Sequence, residues 1–479
     1  MSSDVLRTKA KKGFIWNTME RVFANGIYFI FTVILARLLS PDDYGVITMP
    51  VIFLALAQVL VDSGSANALI RKPDLNEKDL STAFYFNVLV GIVCYSVLFV
   101  ASPLIAAFFK TPILSQLLKV TALVVFLNSL GIVQQAIMTK RMDFKSQAII
   151  TVISTLIGGL IGVWMAYNDY GVWSLVFQQV SSAFLRTILL WILGKWHPLW
   201  ICSKESFRYL WTFGNKVIVI GFLDTLFNNI YSFFIGKMYK AKDLGNYSRA
   251  QQFVDLPINN VNSIICRVTL PLLSEIQDDN SRLNHIYSRL IEMVSLLVFP
   301  LMFGLAALAT PLIYTLLGKE WAGCVIMFQI LCIARIWTPI NAININLLQV
   351  KGCTDLFLRL EVVKKIIHVI ILVVTIFSGI YIMLLGYAIV IFLAFLVNTY
   401  YTNRIIGIGV KEQFKAVLPS LAISLVSFII VLQLIRLFYN YYLQLTIGAI
   451  IYSAIIFVLI FIFKRAVVHE IRISFFEDQ

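Results

Sequence analysis

Residues 441–463 read YYLQLTIGAIIYSAIIFVLIFIF and contain no charged side chain. Because an α-helix rises 1.5 Å per residue, about 20 apolar residues cross the hydrocarbon core of a bilayer. Similar apolar runs recur along all 479 residues, of which 59% are hydrophobic and 13% are charged. A soluble domain has about 25% charged residues. The sequence therefore predicts an all-α polytopic membrane protein.

The spacing of the apolar runs predicts about fourteen transmembrane helices. The polar connections between them are short, so none is long enough to form a separate domain. The basic N-terminus and the apolar run that follows it are read as the first helix, because the run is too long for a signal peptide. The predicted spans are 14–36, 45–66, 82–109, 113–137, 147–167, 171–194, 213–236, 245–268, 287–315, 322–347, 358–379, 381–402, 414–437 and 441–463.

The distribution of basic residues predicts the orientation of the chain in the membrane. The formal net charge is +14, which in a soluble protein would suggest a nucleic-acid partner. Here most Lys and Arg lie at the two termini and in every second connection, as Lys11, Arg71, Lys140 and Lys464 do. This is the positive-inside pattern of membrane proteins. It predicts that both termini are cytoplasmic and that the partner is a lipid bilayer, with no role for nucleic acid.

An internal repeat predicts two similar halves. Residues 36–45 (ARLLSPDDYG) align with residues 236–245 (GKMYKAKDLG) at an offset of 200, and Gly45 and Gly245 are each expected to end a tight turn. A turn motif shared by chance is the alternative. Parallel repeats are typical of transporters that hold substrate between two halves. We expect two pseudo-symmetric six-helix lobes around a central cavity, followed by two C-terminal helices. The predicted divisions are an N-lobe at 1–195, a cytoplasmic linker at 196–212, a C-lobe at 213–404, and two helices with a tail at 405–479.

Charged residues inside the predicted spans are candidates for function. A charge in hydrocarbon costs about 3 kcal/mol on insertion scales, so such residues are expected to line a hydrated interior. Helical spacing places the polar residues of helices 1, 7, 8 and 10 on single faces, including a tenth-helix face from Arg335 to Asn344. Interhelical hydrogen bonding is the alternative explanation. The candidate substrate-binding residues are Arg21, Asn25, Arg186, Lys216, Arg249, Asn259, Arg335 and Asn341. The candidate ligands of a coupling ion, H⁺ or Na⁺, are Glu20, Asp224 and Asp255.

Catalytic and metal-binding motifs are missing from the sequence. There is no phosphate-binding P-loop, no HExxH, no GxSxG and no dinucleotide-binding fingerprint. The six Cys and four His are scattered and suggest no metal site. We therefore expect a protein that is not an enzyme and has no cofactor. Transport would be driven by an ion gradient, by the substrate gradient or by a partner.

Several motifs resemble a known family. Gly13–Asn17 (GFIWN), Leu35–Gly45 (LARLLSPDDYG), Asp62–Gly64 (DSG) and Ala68–Arg71 (ALIR) resemble the bacterial oligosaccharide-lipid flippases of the polysaccharide transporter family, which belong to the MATE-like MOP superfamily. Lys351-Gly352 continues the resemblance in the second half. The chain is similar to colanic acid and teichuronic acid exporters. The resemblance implies that the chain moves an undecaprenyl-diphosphate-linked oligosaccharide across the bacterial inner membrane by alternating access, for surface polysaccharide such as lipopolysaccharide, capsule or exopolysaccharide. It also implies polysaccharide polymerase and export machinery as further partners.

Other functions remain open at this point. The nearest alternative is an ion-coupled multidrug or metabolite exporter of the same superfamily, in which the acidic residues would bind H⁺ or Na⁺. A membrane enzyme such as a polymerase would need a sizeable external loop, which the chain lacks. A scaffold would not need Arg186 or Arg335 in the middle of a span.

Overall fold

The computed structural model describes residues 25–62 and 64–463, and these segments are helical with no β-strand. The predicted all-helical membrane fold is confirmed. Glu20 and Arg21 lie outside the described residues. The helices are α1 (Asn25–Leu38), α2 (Pro41–Thr48), α3 (Val51–Asp62), α4 (Ser65–Arg71), α5 (Glu77–Phe109), α6 (Ile113–Thr121), α7 (Leu123–Lys140), α8 (Phe144–Tyr167), α9 (Trp173–Gly194), α10 (Lys204–Met238), α11 (Ala241–Glu275), α12 (Asn280–Ala307), α13 (Ala309–Leu316), α14 (Ala322–Arg335), α15 (Thr338–Val350), α16 (Thr354–Thr375), α17 (Ile380–Ile406), α18 (Val410–Leu434) and α19 (Tyr441–Phe463).

Within the described residues, 11 helical segments are long and apolar enough to cross a membrane. The chain is therefore a multi-pass membrane protein. The last predicted span coincides with α19. The predicted eighth and eleventh spans are the long helices α11 and α16, whose apolar runs are interrupted by residues such as Asp255 and Lys364. These two helices fall outside the set of 11, so the number fourteen stays a prediction.

Several predicted spans consist of two or three consecutive helices. The segment Pro41–Arg71 contains α2, α3 and α4, and Lys319–Val350 contains α14 and α15. The break between α3 and α4 is at Gly64, whose φ of +65° is a left-handed conformation that glycine adopts without steric cost. Pro339 lies in the first turn of α15, where its missing N–H has no intrahelical partner to lose. Such breaks allow polar side chains to emerge at helix ends inside a span.

The chain divides into two compact units, Met1–Gly245 and Asn246–Gln479. The boundary lies within α11, immediately after the second copy of the repeat. Residues 204–212, which belong to the predicted linker, form the start of α10, whose N-terminus is capped by the Ser203 hydroxyl. The proposed divisions into two lobes, a linker and a C-terminal pair of helices stay predictions.

The two copies of the repeat form equivalent helix starts. In the first, the Asp43 carboxylate accepts a hydrogen bond from the Ser40 N–H at 3.0 Å, which closes a capping box at the start of α2. In the second, the Asp243 carboxylate accepts from the Lys240 N–H at 3.4 Å, at the start of α11. The aligned Asp residues therefore have the same local role, because each carboxylate stabilises the N-terminus of a helix.

The aligned glycines do not end turns as predicted, because Gly45 and Gly245 lie inside α2 and α11. The two helix starts cross each other there. A Cβ added to Gly45 would lie 1.8 Å from the carbonyl oxygen of Ala241, and one added to Gly245 would lie 1.8 Å from that of Pro41. Glycine is needed at both positions because two backbones come close together, and the turn interpretation was wrong.

Candidate functional site

Arg335 and Asp255 form an ion pair in the second unit. The Arg335 Nη2 atom lies 2.9 Å from the Asp255 Oδ1 atom, and the side chains are 20% and 25% exposed. The Arg335 guanidinium also lies over the Tyr387 ring, 5.6 Å from its centroid. These residues come from α14, α11 and α17. The pair is thus partly exposed, and it connects three helices through charge and a cation–π contact.

Local helix chemistry explains the position of the pair. Arg335 is in the last turn of α14, where a cation is stabilised by the partial negative charge of the helix C-terminus. Asp255 lies two residues before Pro257 within α11. A proline inside a helix removes one backbone hydrogen bond, which commonly bends the helix. Asp255 therefore lies beside a proline within α11, and Arg335 lies at the end of α14 inside the apolar segment Lys319–Val350.

Asn341, another candidate, connects α15 to α17. Its side-chain oxygen accepts a hydrogen bond of 2.8 Å from the Asn398 amide, and its own amide points to the Ile391 carbonyl at 3.4 Å. Asn398 is fully buried. These contacts match the alternative explanation for Asn341, namely hydrogen bonding between helices.

Asn344 belongs to a closed polar network in the core of the second unit. The Tyr287 hydroxyl donates to the Asn344 side-chain oxygen, the Gln413 amide donates to the Tyr287 hydroxyl at 2.9 Å, and the Thr402 hydroxyl donates to Asn344 at 3.3 Å. All four side chains are fully buried. The predicted cavity-facing stripe of the tenth helix is therefore wrong at Asn344, which connects α12, α15, α17 and α18.

The remaining candidates lie in several environments. Arg249 is half-buried on α11. The others that the structure describes are exposed, namely Asn25 on α1, Lys216 and Asp224 on α10, and Asn259 on α11. Among the predicted residues, the structure thus brings Asp255 and Arg335 into direct contact, and it makes Asp255 the partner of a cation.

A second polar site lies in the first unit, around Arg186. The Arg186 guanidinium donates to the Gln135 side-chain oxygen at 3.1 Å and lies close enough to Asp62 to interact with it electrostatically. Gln58 donates to the Asp62 carboxylate at 2.9 Å and accepts from the Asn128 amide, also at 2.9 Å. Three transmembrane segments contribute, through α3, α7 and α9.

These five side chains line a cavity of ≈ 270 Å³. A neighbouring cavity of ≈ 440 Å³ shares Asp62, Ile132 and Gln135 with it. Sequence reasoning identified Arg186 and noted Asp62 but missed the three amides. A signal existed, because Gln58 precedes Asp62 by one helical turn and Asn128 precedes Gln135 by two.

Metal binding has no evident site in the part of the chain that the structure describes. No group of three or more His, Cys, Asp or Glu residues is close enough there to hold a metal ion. The two sites instead combine single carboxylates with guanidinium and amide groups, which recognise polar ligands by hydrogen bonds.

Comparison with known proteins identifies the family. A family model described as polysaccharide biosynthesis protein matches residues 34–326, more than half of the chain. The chain belongs to this polysaccharide biosynthesis family. The family resemblance inferred from the motifs is thereby confirmed.

Sequence relatives agree with this assignment, and a solved structure has a similar fold. The chain is 25% identical over 372 residues to the teichuronic acid biosynthesis protein TuaB of Bacillus subtilis, covering 77% of each chain. It is 26% identical over 330 residues to the succinoglycan biosynthesis transport protein ExoT of Rhizobium meliloti, covering 68% of this chain and 66% of that one. The fold is similar to the lipid II flippase MurJ in an inward closed conformation, with a TM-score of 0.74, 15% identity, and coverage of 95% of this chain and 100% of that one.

Proposed function

We propose that this protein transfers a diphosphate-linked oligosaccharide lipid from the inner to the outer leaflet of the bacterial cytoplasmic membrane, for the synthesis of a surface polysaccharide. Family membership and relatives named for teichuronic acid and succinoglycan biosynthesis support a polysaccharide precursor as cargo. The observation that carries the proposal is Arg335, a cation at the end of a helix inside an apolar segment, partly exposed and held by Asp255.

Arg335 is suited to bind the diphosphate group. A guanidinium has five N–H donors in a planar arrangement that matches the oxygens of a phosphate. The ion pair with Asp255 orients this group, and one fifth of the side chain remains exposed to a ligand. A carboxylate beside the guanidinium also competes with the diphosphate. Binding of the diphosphate would then weaken the Asp255 contact, and release of the substrate would restore it.

The same pair suggests how an ion gradient could drive transport. Asp255 is the candidate ion ligand that contacts a candidate substrate-binding residue. H⁺ or Na⁺ bound to Asp255 would neutralise its charge and leave Arg335 available for the diphosphate. We therefore propose Asp255 as the coupling residue. The positive-inside pattern supports cytoplasmic termini, and polymerase and export machinery are the partners expected for such a cargo.

A reconstitution experiment tests the function. The full-length protein is inserted into liposomes that contain undecaprenyl-diphosphate-linked oligosaccharide in both leaflets, and a membrane-impermeant glycosidase digests the oligosaccharide of the outer leaflet. Flipping would make the inner pool accessible, so digestion would proceed well beyond the half reached in protein-free liposomes. If digestion stopped at the same level with folded protein present, the proposal would be refuted. Efflux of ethidium from the same vesicles would instead favour the multidrug exporter.

A further inference from the structure

We propose that the cavity around Arg186 in the first unit is a sugar-binding pocket that accepts one pyranose ring of the transported oligosaccharide. The identity of the ligand rests on the proposed function, whereas the pocket itself rests on the side chains of α3, α7 and α9 described above. The pocket is the ≈ 270 Å³ cavity lined by the side chains of Gln58, Asp62, Asn128, Gln135 and Arg186.

The charges of the pocket favour a neutral ligand with many hydroxyl groups. A free anion would meet the Asp62 carboxylate, and a bare cation would meet the Arg186 guanidinium. A sugar hydroxyl has one donor and two acceptor lone pairs, so it can donate to Asp62 and accept from Arg186. The amides of Gln58, Asn128 and Gln135 offer both kinds of partner. A pyranose ring carries several hydroxyls and can therefore form hydrogen bonds with the carboxylate, the guanidinium and the amides at the same time.

The polar groups of the pocket are held in place before a ligand arrives. Gln58 connects Asp62 on its own helix to Asn128 on α7, with both hydrogen bonds at 2.9 Å. Gln135 on α7 accepts from Arg186 on α9 at 3.1 Å. Side chains that are already oriented lose little conformational entropy on binding, which favours recognition of a weakly binding ligand such as a sugar.

The size of the pocket suits one sugar ring. Pockets for drug-sized ligands have volumes of roughly 300–1,000 Å³, and this one lies just below that range. The neighbouring cavity of ≈ 440 Å³ shares Asp62 and Gln135 and is also lined by Asn67 and Thr139, so an adjacent sugar has polar contacts there. Hydrogen bonds that merely connected three helices would need no such space between them.

The test is a binding measurement on the full-length protein in lipid nanodiscs. Saturation-transfer-difference NMR would be recorded with the methyl glycosides of galactose, glucose, N-acetylglucosamine and rhamnose as probes, and with mannitol as an acyclic control. At least one methyl pyranoside is expected to bind the wild type more strongly than mannitol does. Gln135→Leu is expected to weaken this binding about tenfold, because it removes a direct contact and the partner that orients Arg186.

Asn229→Leu is the matched control, because the Asn229 amide donates to the Thr225 carbonyl of its own helix α10 and is not among the residues that line the pocket. It should bind the glycosides as the wild type does.

Gly131→Ala tests the pocket without removing a polar group, since its methyl group would lie 2.8 Å from Leu190 Cδ1 and force that side chain to shift within the lining. It should also weaken binding. Folding of each variant would be checked by size-exclusion chromatography.

The outcomes separate this proposal from the proposed function. If the wild type flips the lipid-linked oligosaccharide but binds none of the methyl glycosides, the proposal that the pocket binds sugar would be refuted. Unchanged binding in folded Gln135→Leu and Gly131→Ala would overturn it as well. A wild type that binds a glycoside at this site but flips no lipid would support the pocket and refute the flippase function.

Discussion

Replacing both members of the Asp255–Arg335 pair with neutral residues of similar shape would separate a structural role of Arg335 from a role in binding the diphosphate. The variants are Arg335→Gln, Asp255→Asn and the double variant. In Arg335→Gln, a partly buried carboxylate loses its cation, whereas the double variant contains two amides that can hydrogen bond to each other. Stability and transport should therefore respond differently along this double-mutant cycle.

The burial of the pair sets the expected magnitude. Removing one partner of a fully buried ion pair costs about 3–5 kcal/mol of unfolding free energy, and an exposed pair contributes about 0–1 kcal/mol. With side chains 20% and 25% exposed, we expect Arg335→Gln to cost about 1–3 kcal/mol, most of it recovered in the double variant. A hydrogen bond to a charged group contributes about 1.5–3 kcal/mol. Loss of one to the diphosphate should slow flipping at low substrate by about 10- to 150-fold.

The assay is flipping in proteoliposomes with no ion gradient imposed, so that the rate reports no external driving force, and Asp255→Asn alone measures the effect of neutralising Asp255. Thermal unfolding in detergent would be measured on the same preparations. Arg335→Gln and the double variant should both flip slowly, although the double variant regains stability. If flipping recovered together with stability in the double variant, the role of Arg335 would be structural and the diphosphate assignment would be refuted.

Arg289 and Glu292 provide a matched control. They form an ion pair of 3.0 Å within α12, and their side chains are 22% and 19% exposed, which is close to the values of the Asp255–Arg335 pair. Arg289→Gln should change stability by no more than Arg335→Gln does and should leave flipping unchanged. A similar loss of flipping in Arg289→Gln would show that the assay reports general destabilisation.

Three further predictions concern the fold. Gly45→Ala should strongly reduce the yield of folded protein on size-exclusion chromatography, because its Cβ would lie 1.8 Å from a backbone oxygen, whereas Gly26→Ala, with no atom of the described residues within 4 Å of the added Cβ, should express normally. Asn344→Leu should lower the unfolding free energy by about 2–4 kcal/mol, because it removes the hydrogen bonds of Asn344 to Tyr287, Thr402 and Gln413 in a fully buried network, and thermal unfolding without a clear shift would contradict this. Asp79→Ala removes the 2.7 Å ion pair with Lys72 and the hydrogen bond that the Asp79 carboxylate accepts from the Asn76 N–H in the capping box of α5, and should cost about 1–3 kcal/mol in the same assay, which an unchanged unfolding transition would contradict.

Local sequence patterns were sufficient for features that depend on few neighbours. The length of an apolar run sets whether a helix can cross the bilayer, so α9 and α19 were placed almost to the residue. Capping depends on residues three positions apart, and the two copies of the repeat form equivalent helix starts, although the sequence pattern was interpreted as two turns. The short motifs of the first half, among them residues 35–45, were sufficient together with Lys351-Gly352 to identify the family.

Helical phase was less informative about function, because it shows which side chains share a face but not what that face contacts. Arg335, Asn341 and Asn344 were predicted to line one cavity. In the structure, Arg335 pairs with Asp255, Asn341 contacts α17, and Asn344 lies in a closed core network. The interruption between α14 and α15 helps explain the divergence, since it ends the regular periodicity on which the prediction relied.

The sequence by itself therefore determined the membrane-embedded helical architecture, the repeat and the family, since each of these depends on composition or on residues close together in the chain. Tertiary structure alone decided the pairing of Asp255 with Arg335, the pocket of Asp62, Gln135 and Arg186, and the backbone crossing at Gly45. These features join residues that are 51 to 196 positions apart in the chain. Their contacts depend on which helix faces meet, and this is set by packing of the whole unit, which no local pattern encodes.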